Sequence, residues 1–291
     1  MKKILFAASA ALLFPLAHLA QETPSTTVQP PPPTKEQAAF DQKFRFGLRI
    51  SGQPTWFVSN DKNNIPSGSR FGMGFGLNME FRFSQTAGLL TGIGGDFEGG
   101  HYTFKYQPSD NYEVKYHMSS AGEFLNPKDS KTQTGTTVYV LKDRLIKTTH
   151  ITIPIILKLS TQEYNGIKYF GLFGGELGFR VRNTANDTYY ESRKYTDSSV
   201  VITKNESQND LDISDETSFP MRIGMNVGLG FEYRLGGSTA LFMSANFFRS
   251  FSNLMQPTSD FAYYNMDSNQ PLYLKQNLKQ AAVRINVGIM V

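Results

Sequence analysis

Residues 70–83 read Arg-Phe-Gly-Met-Gly-Phe-Gly-Leu-Asn-Met-Glu-Phe-Arg-Phe, and every second position in this stretch is apolar. Residues 219–235 follow the same rule without exception. Successive side chains of a β-strand point to opposite faces of a sheet, so a period of two predicts a strand with one apolar face and one polar face. Both stretches are therefore predicted to form long β-strands.

Six further segments fit the same pattern and bring the number of predicted strands to eight. They are residues 44–57, 89–106, 138–159, 167–182, 239–251 and 278–291. Many of these segments exceed the about five or six residues that are usual in globular proteins. They match the about nine to eleven residues of a tilted transmembrane strand.

The connections between these segments fall into two classes. Three are short (84–86, 161–166 and 236–238), whereas four are long and polar (59–69, 107–137, 183–218 and 252–277). Outer-membrane barrels have short periplasmic turns and long extracellular loops. The sequence therefore predicts an all-β fold, an eight-stranded antiparallel up-and-down transmembrane β-barrel in the outer membrane of a Gram-negative bacterium. Both termini are expected in the periplasm and the long loops outside the cell.

Alternation alone does not say which face points inward, and a soluble secreted barrel or sandwich with an apolar interior is the alternative. The polar face carries many glycines and arginines but few lysines. A solvated strand face favours Lys and Glu and is weakened by Gly. This composition favours a narrow lumen in which Gly makes room for Arg side chains, with the apolar face turned toward lipid.

The chain begins with features of an exported protein. Residues 1–20 combine Lys2 and Lys3 with an apolar core and a small-residue exit, which predicts a signal peptide. Residues 21–42 are predicted to be a Pro-rich periplasmic spacer, and residues 43–291 to be the barrel. The chain has no cysteine, which excludes disulfides, thiolate metal sites and a lipid-modified N-terminal cysteine. A net charge of +4 gives no indication of nucleic-acid binding.

Residues 150–159, His-Ile-Thr-Ile-Pro-Ile-Ile-Leu-Lys-Leu, are followed by a Gly-rich strand at 169–178. This pair of segments resembles the mid-chain strands of the PorT-like outer-membrane β-barrel family. In pattern, the resemblance covers residues 44–291. It implies a membrane barrel without catalytic residues, and it suggests type IX protein secretion as a context, because the namesake of the family is an accessory of that process.

The lumen of an eight-stranded barrel is just wide enough for side chains to fill, so we expect a plugged polar lumen and no diffusion pore. Buried charges must be paired, which predicts a structural ion-pair network among the inward-facing charged residues. An ion or proton path through this network is the alternative. Arg70 and Arg182 are also predicted to face inward. The network is predicted to comprise Arg45, Arg49, Glu80, Arg82, Asp96, Glu98, Glu176, Arg180, Arg222, Glu232, Arg234 and Arg284.

No common catalytic motif occurs, neither a Gly-x-Ser-x-Gly elbow nor His-Glu-x-x-His. We therefore expect no enzymatic activity and no cofactor. Two alternatives stay open. In the first, His101 pairs with a loop serine in a lipid hydrolase, with His117 as the other candidate histidine. In the second, the acidic residues of one loop hold calcium together with loop carbonyls, although an ordinary acidic loop is the expected case. These residues are Asp210, Asp212, Asp215 and Glu216.

Three functions are consistent with these sequence features. The first is a non-enzymatic barrel that is structural or accessory to protein secretion or assembly. The second is a surface receptor or adhesin that uses the long loops, and the third is a lipid-modifying hydrolase. Expected partners are outer-membrane lipids and lipopolysaccharide, the barrel-assembly machinery and secretion-system proteins.

Overall fold

The computed structural model describes residues 42–59, 64–106, 113–128, 134–214, 220–267 and 270–291. The predicted signal peptide and almost all of the predicted spacer lie outside these ranges. Within the described part of the chain, no helix has the length and apolar character needed to cross a membrane.

The described residues form fourteen β-strands. In chain order they are β1 (Phe44–Ser59), β2 (Asn64–Arg82), β3 (Ala87–Phe104), β4 (Lys115–Met118), β5 (Phe124–Leu125), β6 (Thr137–Ser160), β7 (Ile167–Tyr195), β8 (Val200–Lys204), β9 (Ser207–Asp212), β10 (Met221–Gly236), β11 (Thr239–Ser250), β12 (Thr258–Asp267), β13 (Gln270–Lys275) and β14 (Leu278–Met290).

Eight of these strands close into an antiparallel up-and-down barrel, which confirms the predicted fold. Each pairs with the next barrel strand along the chain, in the order β1, β2, β3, β6, β7, β10, β11, β14. β14 returns to β1, and at this seam Phe46 and Val291 exchange two backbone hydrogen bonds of 3.2 and 2.7 Å. The eight strands correspond one to one with the eight predicted segments.

The strands of the barrel are staggered. A circuit of paired residues runs from Phe46 through Met79, Thr91, Ile155, Gly175, Met225, Arg249 and Ala281 to Trp56. The circuit thus returns to β1 ten residues further along the strand, from position 46 to position 56. A stagger of this size in eight strands corresponds to a strand tilt of about 40° from the barrel axis.

The apolar face of the barrel points outward. Leu229 on this face is 72% exposed, whereas Arg45 and Asp96 inside the barrel are 0% exposed. On β2 the outward row runs from Phe71 to Phe81 without a polar residue. A soluble barrel would have the opposite arrangement, so the apolar belt belongs to a membrane-spanning barrel.

The two ends of the barrel differ. At one end, here called the turn end, the strands are joined by the three short connections that the sequence predicts. At the other end β3, β6 and β7 continue beyond the barrel, and β4, β5, β8, β9, β12 and β13 pair with these extensions or with one another. We call this second region the cap.

The cap corrects the expectation that residues 183–218 form a loop. β7 continues through Asn183 to Tyr195, and β8 and β9 pair back onto it. Segments 107–137 and 252–277 likewise contain short strands. The physical reason is an apolar core that these strands enclose, which contains Tyr102, Phe104, Tyr116, Ile146 and Tyr189.

Candidate functional site

The lumen contains two groups of charged side chains at different heights. The turn-side cluster lies near the turn end and consists of Arg45, Glu80, Arg82, Lys158 and Glu232. The central cluster lies closer to the cap and consists of Arg49, Asp96, Glu98, His150, Glu176, Arg222 and Arg284. Alternation along the barrel strands places all of these side chains on the inward face.

In the turn-side cluster each carboxylate contacts more than one cation. The Lys158 ammonium donates to Glu80 Oε2 at 3.0 Å and also to Glu232. Arg45 Nη1 donates to Glu232 Oε2 at 3.0 Å, and Arg82 Nε donates to Glu80 Oε1 at 2.8 Å. All five side chains are nearly inaccessible to solvent. The cluster therefore closes the turn end of the lumen with paired charges.

In the central cluster two arginines bridge two glutamates. Arg284 Nη2 donates to Glu98 Oε1 at 2.8 Å and to Glu176 Oε1 at 3.0 Å. Arg222 donates to Glu98 and, at 3.1 Å, to Glu176 Oε1. Both guanidinium groups lie 4.5 Å from the centre of the Phe248 ring. The planar forks of the arginines and this ring fix the geometry of the cluster.

Glycines give these charges the space they occupy. A Cβ on Gly74 would collide with the Asp96 carboxylate, and a Cβ on Gly94 would lie 2.7 Å from Arg49 Nη2. Both glycines belong to the polar face on which the sequence predicts that Gly makes room for Arg. The absence of a side chain at each position therefore serves packing inside the lumen.

A small cavity separates the two clusters. Its volume is about 50 Å³. Its lining includes the polar side chains of Asn78, Asn226 and Asn286 and the apolar side chains of Leu90 and Ile156. Such a space holds at most a few water molecules. The cavity is thus bounded by charged residues of both clusters.

Two residues of the predicted network lie outside both clusters. Arg234 pairs with Glu163 in the connection between β6 and β7, at the rim of the turn end. Arg180 is half-buried beside His150 and Ser250, near the cap. Conversely, Lys158 and His150 belong to the clusters although the predicted network does not include them. Their signal was available, since both occupy inward positions of β6.

The hydrolase alternative predicts that His101 pairs with a loop serine, and the structure shows a different arrangement. His101 Nδ1 lies 3.4 Å from Asp143 Oδ1, and the Ser67 hydroxyl donates to Asp143 Oδ2 at 3.3 Å. Ser67 thus bonds to the carboxylate and not to the imidazole. His117 is buried in the cap, where its Nε2 lies 2.8 Å from the Tyr263 hydroxyl.

The predicted calcium alternative falls partly outside the described residues, because Asp215 and Glu216 lie there. Asp210 pairs with the Lys147 ammonium at 2.9 Å, and this hydrogen bond lowers the pKa of the Asp210 carboxyl. Asp212 accepts hydrogen bonds from the Ser214 backbone and hydroxyl. In the part of the chain that the structure describes, no group of three or more His, Asp or Glu side chains could hold a metal ion.

The cap contains a buried polar network that the sequence pattern did not predict. Arg144 donates to both oxygens of Asp187 at 2.7 Å, and both residues are fully buried. Tyr116 donates to Asp187 Oδ2 at 3.2 Å, and its hydroxyl lies 2.5 Å from that of Tyr189. Burial and the neighbouring Asp187 carboxylate raise the pKa of Tyr116 well above its usual value. The network fixes β4, β6 and β7 relative to one another.

Comparisons with solved structures return barrels from several bacteria. The attachment invasion locus protein Ail of Yersinia pestis is 10% identical, with 86% of this chain and 100% of that chain covered and a TM-score of 0.30. OprG of Pseudomonas aeruginosa is 10% identical, with 85% and 93% covered and a TM-score of 0.37. The outer membrane protease OmpT of Escherichia coli is 9% identical, with 85% and 95% covered and a TM-score of 0.31. No curated protein sequence matches the chain.

A family model described as "Outer membrane protein beta-barrel domain" matches residues 20–256. This match covers most of the chain, including most of the described barrel. It is broader than the PorT-like resemblance, which stays a prediction. The closed ring of eight strands, the outward apolar belt and this match agree, and the chain belongs to the outer membrane protein β-barrel domain family.

Proposed function

We propose that this chain is a non-enzymatic, non-conducting barrel of the Gram-negative outer membrane that is structural or accessory to protein secretion or assembly. The observation that carries this proposal is the filled lumen. A solute crossing the barrel would have to pass the turn-side cluster, the central cluster and the apolar core of the cap. The barrel therefore acts through its surfaces and not through its bore.

The orientation belongs to the same proposal. The turn end carries short connections and the cap carries the extended strands. Because outer-membrane barrels place short turns in the periplasm, the cap lies outside the cell and both termini lie in the periplasm. A thiol probe on whole cells should label a cysteine placed at Ser198, in the turn between β7 and β8, but not one placed at Asn165. Surface labelling at Asn165 would reverse the orientation.

Planar-bilayer recording tests the closed lumen. The purified full-length chain should give no steady conductance, because two layers of paired charge and an apolar core block the bore. The Glu163→Gln variant, which alters only a rim pair, should be equally silent. Large, steady, salt-dependent channels from the unmodified protein would refute the proposal and assign a transport function.

The accessory role in secretion derives from the PorT-like resemblance and is tested in cells. Deletion of the encoding gene should leave secreted cargo in the periplasm, and the full-length chain should restore export. Normal export in the deletion strain would remove secretion from the proposal and leave the structural role. Outer-membrane permeability measured in the same strain reports on that structural role.

A second candidate function, a surface adhesin, is favoured by the outer edge of β8. Every residue of β8 is exposed, with Ile202 at 55%. Thr196 N–H donates to Ser199 O, and Asn205 N–H donates to Tyr190 O. Because hydrogen-bonded pairs alternate along an antiparallel ladder, the backbone groups of Val200, Ile202 and Lys204 face away from β7. No described strand pairs with this edge.

The exposed groups are symmetric about Ile202, so β8 can pair antiparallel with β8 of a second copy. β8 runs from the tip of the cap back toward the membrane. Two copies in one membrane therefore have parallel β8 strands, and antiparallel pairing requires copies in facing membranes. The candidate function is thus adhesion between neighbouring cells through an added strand.

Clumping of cells that display the chain tests this candidate. Ile202→Pro removes the central outward N–H of β8 and should abolish clumping. Val201→Ala leaves the outward N–H groups in place and should preserve it. If cells with the unmodified chain do not clump, the adhesin candidate fails and the non-conducting barrel proposal is unaffected.

A further inference from the structure

The lipid-facing side of β11 carries one charged residue. Its outward row consists of Leu241, Met243, Ala245, Phe247 and Arg249. Arg249 is exposed and is followed by the exposed Phe251. A charge against hydrocarbon is unfavourable, and this penalty falls toward the membrane interface. Arg249 lies at the cap end of β11, where the lipid headgroups of the nearer leaflet are expected.

A second cation lies next to Arg249 on the same outer surface. Arg249 is paired with Ala281 across the β11–β14 ladder, so Lys279 is its diagonal neighbour on the cap side. Diagonal side chains of this kind are about 7–8 Å apart, within reach of a common ligand for long side chains. Among the described residues, neither cation has an ion-pair partner. Lys147, which also faces outward near the cap, is paired with Asp210.

Aromatic side chains border this pair. Ala281 is paired with Trp56 on β1, and the Trp56 ring centroid lies 6.4 Å from that of Phe247. Trp is enriched where membrane meets water, because its ring is apolar and its N–H is polar. The outward positions of β1, β11 and β14 include no acidic residue. The surface therefore combines two cations that lack acidic partners with the neighbouring aromatic rings of Trp56 and Phe247.

We propose that Arg249 and Lys279 bind a phosphate of a phosphorylated, multiply acylated glycolipid of the outer leaflet, the lipid A class. The guanidinium fork of Arg249 suits two phosphate oxygens, and the Lys279 ammonium supplies a second point of charge. Below Arg249 an acyl chain would lie against Phe247 and Val283, next to the Trp56 ring. The proposal rests on the orientation given above, which places the cap and hence this leaflet outside the cell.

The ligand chemistry follows from charge and location together. A carboxylate on a soluble partner would not account for the aromatic rings that face lipid beside the cations. A lipid without phosphate would leave both cations against hydrocarbon and neutral headgroups. A phosphate attached to acyl chains satisfies both the cations and the apolar surface beside them.

Trp56 provides the readout, because it is the single tryptophan of the chain and lies beside the proposed site. Purified full-length protein in neutral detergent is titrated with bisphosphorylated lipid A, and the emission of Trp56 is recorded. A saturable change is expected. Dephosphorylated lipid A with the same acyl chains should bind about thirtyfold more weakly, as expected for the loss of contacts to two cations near an anionic headgroup.

Variants separate the site from general lipid contact. The double variant Arg249→Gln/Lys279→Gln should bind both lipids with the same weak affinity. The charge-retaining double variant Arg249→Lys/Lys279→Arg should keep the preference for phosphate, which guards against loss through misfolding. Lys147→Gln, which removes an outward cation elsewhere near the cap, should behave as the unmodified chain.

The proposal is overturned if the unmodified protein does not distinguish the two forms of lipid A, or if the Gln double variant keeps the preference. The same titration is repeated with phosphatidylglycerol. An affinity equal to that for bisphosphorylated lipid A would overturn the assignment to a glycolipid. These outcomes are independent of bilayer conductance. A silent barrel that ignores phosphate would remove this inference and leave the proposed function in place.

Discussion

β6 passes through two regions that use its two faces in opposite ways. Between His150 and Lys158, inside the barrel, its inward residues are mostly polar or charged and its outward residues are Ile and Leu. Nearer the cap, Ile146 and Leu141 are fully buried in the apolar core, while Lys147 and Asp143 point outward. The strand thus inverts its polarity where it leaves the membrane.

This inversion shows that the medium outside the strand, lipid or water, determines which side chains the strand turns inward. Where lipid covers the outside, polar residues turn inward and must be satisfied by ion pairs. Where water covers the outside, burial of apolar side chains stabilises the structure. We therefore expect the lumen to be sensitive to loss of charge partners and the cap to be sensitive to loss of volume.

The largest effect is expected when one partner of the central cluster is removed. Glu98→Gln leaves Arg222 and Arg284 without part of their compensation and should lower the free energy of unfolding by about 3–5 kcal/mol. Urea unfolding in phospholipid vesicles measures this loss. The control Glu163→Gln removes a rim pair and should cost less than about 1 kcal/mol. Equal losses in the two variants would contradict the distinction between lumen and rim.

A cavity in the cap should have the next largest effect. Ile146 is fully buried in the apolar core, and Ile146→Ala should cost about 2–5 kcal/mol. The control Ile202→Ala lies on the exposed β8 and should stay within about 0.5 kcal/mol of the unmodified chain. Thermal unfolding followed by near-ultraviolet circular dichroism compares the two. A negligible effect of Ile146→Ala would mean that the cap core does not stabilise the fold.

The third prediction compares the outer surface of the barrel, which faces lipid, with the outer surface of the cap, which faces water. Leu77→Arg or Val227→Arg should each cost about 2–4 kcal/mol, because the new charge faces hydrocarbon. Thr103→Arg, on the outer face of the cap end of β3, should be tolerated, and the lumen substitution Asn226→Ser should be much milder. Refolding titrations give these values. Equal tolerance of Arg at positions 77 and 103 would place the membrane boundary elsewhere.

The smallest expected effect concerns the buried tyrosines of the cap. Their ionisation should leave the stability unchanged at neutral pH and lower it only at alkaline pH. Burial raises the pKa of Tyr263 to about 12, and the pKa of Tyr116 is raised as well. Since the folded cap favours the neutral phenols, its stability should be constant up to about pH 10 and fall as the pH rises toward 12. Tyrosinate absorbance and near-ultraviolet circular dichroism should change together. Tyr263→Phe should reduce the steepness of this fall, and an unchanged curve would contradict the assignment.

The sequence was sufficient to predict the barrel. A period of two identified all eight barrel strands and the inward position of most charged residues, because the lipid-facing row tolerates few exceptions. It could not predict which charges meet. Glu98 and Arg284 lie far apart in the chain and are joined only by the register and stagger of the closed ring.

The period of two does not predict the cap, because the alternation changes within it. The β6–β7 register shifts between Thr149 and His150, and opposite this point β7 changes its inward residues from Glu176 and Gly178 to Asn183 and Ala185. Arg182, predicted to face inward, is therefore exposed. A bulge shifts the alternation by one residue. In a segment that mixes polar and aromatic residues, this shift cannot be recognised from the sequence.

The seam between β1 and β14 sets the order of events during assembly. Residues as distant in the chain as Gly47 and Met290 must meet before the ring closes. Until β14 arrives, β1 and β11 both present unpaired backbone groups along membrane-spanning edges. A chain interrupted before Leu278 would keep these edges open at every stage. It is therefore expected to be an aggregation hazard and a substrate for periplasmic chaperones and proteases, not a smaller barrel.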